Sequence, residues 1–166
     1  LYEESMFDGQ KVSKSRIITS VDYSMVSMEA FEIYAANHDI HVMDFVLKLD
    51  AYTYYMMNLL DYLIGNTDRH WGNWGFLVDN RTNQPVRLFD LMDLNQTFLA
   101  YDTPDGANCM TTGNRKMSQR EAAVEAVKKI GLNQRAEIKD EWFEGREKER
   151  EMFWCRFGIL KEQWKA

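Results

Sequence analysis

Residues 41–64 carry the feature that most restricts how this chain can fold. Val42, Phe45, Val46, Leu49, Tyr52, Met56, Leu59, Leu60 and Leu63 recur at helical spacing over more than twenty residues. Tyr54, Tyr55 and Met57 add apolar surface on other faces, so this helix is expected to be buried on more than one side. Gly65 and Asn66 follow it, two residues suited to a left-handed C-terminal cap. A long buried rod needs partners on both flanks, which points to a mainly α-helical domain. The 166 residues amount to about one domain with a proper core. An apolar fraction of 45% with 13% aromatics argues against disorder.

What leaves the end of that helix is a polar stretch with an ordered set of chemical groups, NTDRHWGNWGFLVDNRTNQPVRLFDLMDLN, residues 66–95. Asp68, Arg69 and His70 lie in a polar turn and Asn73 stands five residues after Asp68. Two short apolar runs, residues 76–78 and 86–89, flank a turn-rich linker and predict a β-hairpin. Asp90 and Asp93 follow the second run, and a hairpin folds its ends together, so these acids return towards Asn73. An Asn beside a carboxylate can hold Mg²⁺ through hard oxygen ligands while a second acid stays free. Any one of these residues by itself reads as a turn cap or a surface ion pair. Trp71 and Trp74 are expected to wedge the loop against the core.

Phosphoryl transfer needs those parts: an acid to orient the attacking hydroxyl, and an Asn and an Asp to hold metal on the phosphates. In the protein-kinase template the catalytic Asp precedes the metal-binding Asn by five residues, and the second metal ligand follows one hairpin later. NTDRHWGN resembles the catalytic loop of the HipA-like bacterial kinases, and its Asp-Arg-His with a following Asn is similar to that of phosphoinositide kinases. LFDLMDLNQTF resembles the stretch that carries the second metal-binding Asp in the HipA-like family. The resemblance implies Asp68 as catalytic acid, Asn73 and Asp93 as ligands of Mg²⁺ on ATP, and Asp90 as the competing ligand. It makes Arg69 and His70 groups that stabilise the loop or the transferring phosphoryl charge.

The same resemblance implies a nucleotide site built between two lobes, of which this chain is the second. Before Asp68 the only glycines are Gly9 and Gly65, so no glycine-rich phosphate-covering loop is present there. Lys11 and Lys14 lie in what reads as a polar, turn-like opening rather than on a strand. The chain begins with Leu1, and a fragment lacking the N-terminal nucleotide lobe is expected, with that lobe and a protein substrate as partners.

Residues 1–26 read as a lead-in or interlobe segment and 27–166 as the helical lobe. Ile17, Ile18, Val21, Tyr23 and Val26 suit a short strand or an extended linker. Ser27 reads as an N-cap with Glu29 in the first turn of a short helix, and Asp39 as the cap of the long one. His38 and His41 have no carboxylate cluster at ligand spacing. Residues 96–113 are loop-like, with a strong turn at Pro104-Asp105-Gly106; its position suits a substrate-binding or activation segment, and Thr103, Thr111, Thr112 and Ser118 offer hydroxyls. Ser118 with Glu121 forms a capping box opening a helix to Ile130 and Gly131. Residues from Asn133 to Ile138 suggest a further turn. Asp140 is expected to start the final helix, with the charged GREKERE run on its solvated face.

A formal charge of −6 gives no support for sequence-independent nucleic-acid binding. No apolar run reaches membrane-spanning length and the opening residues are no signal peptide. Cys109 and Cys155 have no metal-ligand spacing and suit free thiols in a cytoplasm. The residues therefore point to an α+β, mainly helical domain with a catalytic β-hairpin, and the resemblance implies the C-terminal lobe of a HipA-like kinase. It would act as a Mg²⁺- and ATP-dependent protein Ser/Thr kinase, nearly inactive as an isolated fragment. The competing expectations are a non-catalytic kinase-like binding module and a metal-dependent phosphohydrolase using the same acids.

Overall fold

The computed structural model describes residues 2–98, 103–106, 117–132 and 137–165. Cys109, Thr111, Thr112 and most of the turn expected after Asn133 lie outside the described residues. The fold is α+β: strands β1 (Tyr2–Phe7), β2 (Gln10–Ser15) and β3 (Tyr23–Ser27), helices α1 (Met28–Ala36) and α2 (Val42–Ile64), strands β4 (Gly75–Asp79) and β5 (Gln84–Leu88), and helices α3 (Gln119–Ile130) and α4 (Glu147–Lys165). β3, β4 and β5 form an antiparallel sheet in that order, and β1 pairs with β2 in a separate one.

Helix α2 is the axis of the molecule, buried on two sides as its pattern predicts. One side joins α1 and the three-stranded sheet around Met28, Phe31, Val46, Met57, Phe76 and Leu88. The other packs Tyr55, Leu59 and Tyr62 on Ala123, Ala126 and Val127 of α3 and Leu160 of α4. Gly65 ends the helix at φ 60 and ψ 44, the left-handed cap expected there. The helix also kinks, which the periodicity does not reveal. Asp50 leaves helical geometry at φ −155 and ψ 65. Its Oδ1 accepts from the Thr53 amide at 3.1 Å, restarting the helix as a cap does, and its Oδ2 accepts from the Leu88 amide at 3.1 Å. One carboxylate thus fastens the kink to β5.

Ser27 caps α1 by accepting from the Ala30 amide, and Ser118 caps α3 in a complete capping box with Glu121. These short-range expectations hold. Three others need correcting. The opening taken as turn-like is a β-hairpin, with Tyr2 opposite Ser15 and Phe7 opposite Gln10. Asp8 and Gly9 both have positive φ (49 and 72), as a two-residue hairpin turn requires. Lys11 and Lys14 therefore stand on β2, paired across the ladder with Glu4 at 2.9 Å and Glu3 at 2.8 Å. Helix α2 is capped not by Asp39, which turns left-handed at φ 54, but by the His41 ring accepting from the Asp44 amide. The final helix does not run on from Asp140: residues Asp140–Phe143 make a 3₁₀ turn, and Gly145 at φ 68 breaks the chain before α4.

Of the apolar run between Ile17 and Val26, only its end becomes a strand. β3 lies beside β4, from Tyr23 opposite Asp79 to Ser27 opposite Gly75. Ile17 and Val21 remain exposed. Gly75 is required at that crossing, since a Cβ there would stand 2.1 Å from the Val26 carbonyl oxygen.

Candidate functional site

The polar loop at residues 66–73 is held from below by α2 and from both sides by its own side chains. Asn66, fully buried, donates Nδ2 to Asp61 Oδ1 at 2.9 Å and accepts the Asp68 amide on Oδ1 at 3.2 Å. Gln119 of α3 donates to the Asn66 carbonyl. Asp68 is thus fixed through its backbone: its amide rests on Asn66, and its carbonyl accepts from Asn73 Nδ2. Its half-buried carboxylate takes no hydrogen bond or ion pair from the described residues. A carboxylate held at its backbone and left open at its side chain can accept a proton or orient a hydroxyl.

Arg69 goes inward. Only 3% exposed, it sets Nε and Nη2 on the two oxygens of Asp61, both at 2.9 Å. Its Nη1 donates to the Asn73 carbonyl at 3.0 Å and to the Met92 carbonyl at 2.6 Å. With all three nitrogens engaged, its role is to hold the loop. His70 is exposed and turns back, its Nδ1 accepting from the Gly72 amide at 3.0 Å. Trp74 is buried in the core and Trp71 packs at its edge, 6.3 Å between ring centroids. Their carbonyls accept from the Met28 and Glu29 amides at the start of α1, at 2.9 and 3.0 Å. The orphan donors of that helix end therefore pin the loop as well.

Asn73 is 4% exposed and its Oδ1 is buried with no hydrogen-bond partner. Such an acceptor is costly unless water or a cation satisfies it. Beyond the hairpin, Asp90 and Asp93 differ. Asp90 is half-buried and accepts from Arg87 Nη1 at 2.6 Å. Asp93 is exposed, sits at φ 54, and has no hydrogen bond or ion pair to the described residues. The hairpin does bring its far end back: one nitrogen of Arg69 reaches both Asn73 and Met92, the residue before Asp93. Thr67 also donates to the Gln96 carbonyl at 3.2 Å. The open acid of the pair is Asp93.

Among the described residues no three His, Cys, Asp or Glu side chains converge as a metal cage. Asn73 Oδ1 and the Asp93 carboxylate are hard oxygens of the kind Mg²⁺ takes, an ion that keeps several waters and takes further ligands from phosphates. A mostly apolar cavity of about 600 Å³ lies alongside, between residues 15–19 and residues 89–92 with Leu94. It takes in Asp90 but not Asp68, Asn73 or Asp93. Sequence reasoning missed Asp61 and Gln119, and took Asn66 only as a cap residue rather than as a side chain that holds the loop. Asp61 did leave a signal, a lone charge inside the apolar run Leu59-Leu60-Asp61-Tyr62-Leu63; Gln119 left none. No helix among the described residues is long and apolar enough to cross a membrane. Comparison of the chain with protein-family models, with curated proteins and with solved structures finds no match.

Proposed function

We propose that this chain carries the catalytic centre of a Mg²⁺- and ATP-dependent phosphotransferase, a HipA-like kinase acting on protein Ser or Thr hydroxyls. The observation that carries the reading is the Arg69 guanidinium joining Asn73 to Met92. That junction sets a buried, unsatisfied amide oxygen and an open carboxylate on two segments brought together beside the unpaired acid of Asp68. In this reading Asp68 accepts or orients the proton of the attacking hydroxyl, held by Asn66 and Asn73 through its backbone. Asn73 Oδ1 and Asp93 would hold Mg²⁺, and Asp90, already engaged by Arg87, is the weaker candidate. When bound, the ion would neutralise charge on the ATP phosphates. Arg69 and His70 keep the loop in shape. In this reading an N-terminal lobe of the same protein closes over the nucleotide, while Lys11 and Lys14 sit in solvent-exposed ion pairs with Glu4 and Glu3. A cytoplasmic setting agrees with the exposed free thiol of Cys155.

The test uses the chain itself, isotopically labelled, titrated with Mn²⁺ in place of Mg²⁺, with and without ATP, and followed by NMR. Paramagnetic broadening is expected first at Asn73 and Asp93, with reversal by excess Mg²⁺. Broadening centred instead on the acidic start of α4, with Asn73 and Asp93 untouched, refutes the site.

A further inference from the structure

We propose that Asp61 is a positioning residue for this centre: with Arg69 it forms a buried latch that ties the backbone at Asn73 to the backbone at Met92, the residue before Asp93. The inference rests on the phosphotransfer reading for its functional meaning, but its geometry stands apart from it. Asp61 lies one turn before the end of α2, where its backbone carbonyl accepts the amides of Gly65 and Asn66. Its carboxylate is 4% exposed and receives three hydrogen bonds, two from Arg69 and one from Asn66. A residue on α2 thus holds the first residue of the loop and also the side chain that bridges residues 73 and 92.

Stability alone is a poor reason for such a pair. Taking two charges out of water costs about what their attraction returns, and well-packed apolar residues often serve as well or better. An apolar pair could not replace the remaining function of the guanidinium. Nη1 donates to carbonyls on two segments that no ladder bond joins at that point. Without the Asp61 charge, Arg69 becomes a buried, uncompensated cation, and its relief is to swing outward, releasing both carbonyls. Gln119 extends the same network to α3 through the Asn66 carbonyl.

Two variants of the chain test the latch: Asp61→Asn, which keeps the shape and removes the charge, and the double variant Asp61→Leu with Arg69→Met, which fills the space with apolar atoms. Amide hydrogen exchange is read at Thr67 and Asn73, whose amides are bonded to Gln96 and His70, and at Val127 and Leu160 as references in the second core. In Asp61→Asn, exchange at Thr67 and Asn73 should accelerate about 100-fold or more, the cost of stranding one member of a buried pair. Val127 and Leu160 should change far less. In the double variant the references should return to wild-type protection while Thr67 and Asn73 stay fast, because both Nη1 bonds are still missing. Slow exchange at Thr67 and Asn73 in the double variant means the pair merely fills the core, and the proposal falls. That variant decides the matter even where Asp61→Asn does not fold. No metal or nucleotide enters this measurement, so its failure is separate from a failure of Mn²⁺ to find Asn73 and Asp93.

Discussion

Tyr62 offers a pH test of how the segment following the candidate acids is anchored. The side chain is fully buried, its hydroxyl donates to the Asp105 carbonyl at 2.7 Å, and the Arg156 guanidinium stands 5.6 Å from the ring centre. Burial pushes the phenol from its ordinary 10.0 up to about 12, against the opposing pull of the Arg120 and Arg156 charges. The folded chain therefore favours the neutral phenol more than the unfolded chain does. That contribution is intact below pH 10 and is lost as pH rises from 10 towards 12. Its full size is roughly 2.7 kcal/mol, of which about 1.4 kcal/mol is gone at pH 11. Tyr62→Phe removes one neutral hydrogen bond and so should cost about 1 kcal/mol at pH 8. The variant has no phenol to ionise at this site, so its deficit should close with rising pH and invert near pH 11. Urea unfolding of both proteins, followed by far-ultraviolet circular dichroism at pH 8, 10 and 11, measures the gap. Tyr54 and Tyr55, also raised by burial, are present in both proteins and cancel in the difference. A gap that stays constant from pH 8 to 11 refutes the argument, and with it the picture of Tyr62 sealing the turn at residues 103–106 onto α2.

On the proposed kinase reading, and in a chain extended to include the proposed nucleotide lobe, Asp68→Asn should lower turnover by about 10²- to 10⁴-fold, the range for a general base, with little change in Mg-ATP affinity; steady-state kinetics beside calorimetric titration separates the two. Asp93→Ala should abolish the Mn²⁺ broadening at Asn73, whereas Asp90→Ala, which breaks an ion pair with Arg87, should weaken it less; the opposite ranking moves the ligand role to Asp90. Gly75→Ala forces a methyl group against the Val26 carbonyl and should destabilise the chain by about 3 kcal/mol, the upper end of ordinary overpacking; an unchanged urea midpoint would show that β3 and β4 do not cross as closely as described.

Features with local causes are legible in the order of residues alone. The period of residues 42–64 makes α2, and Gly65 ends it because that position needs a left-handed turn. Ser27 and Ser118 start helices because their hydroxyls reach amides three residues on. The two apolar runs separated by a turn make β4 and β5 and so return the chain towards Asn73. Asp8-Gly9 was an equally local signal for the first hairpin, obscured by the polar strands on either side. The remaining features come from packing, because a charge inside a helix has no fixed partner until water is excluded around it. Asp61 and Arg69 are eight residues apart, Arg69 and Met92 twenty-three, Gln119 and Asn66 fifty-three. Their pairing depends on α2 and α3 closing over the loop. The ordering of Asp68, Asn73, Asp90 and Asp93 can be read along the chain. Which acid stays open cannot, since Arg87 engages Asp90 while Arg69, drawn inward by Asp61, holds the Met92 carbonyl and leaves Asp93 at the surface.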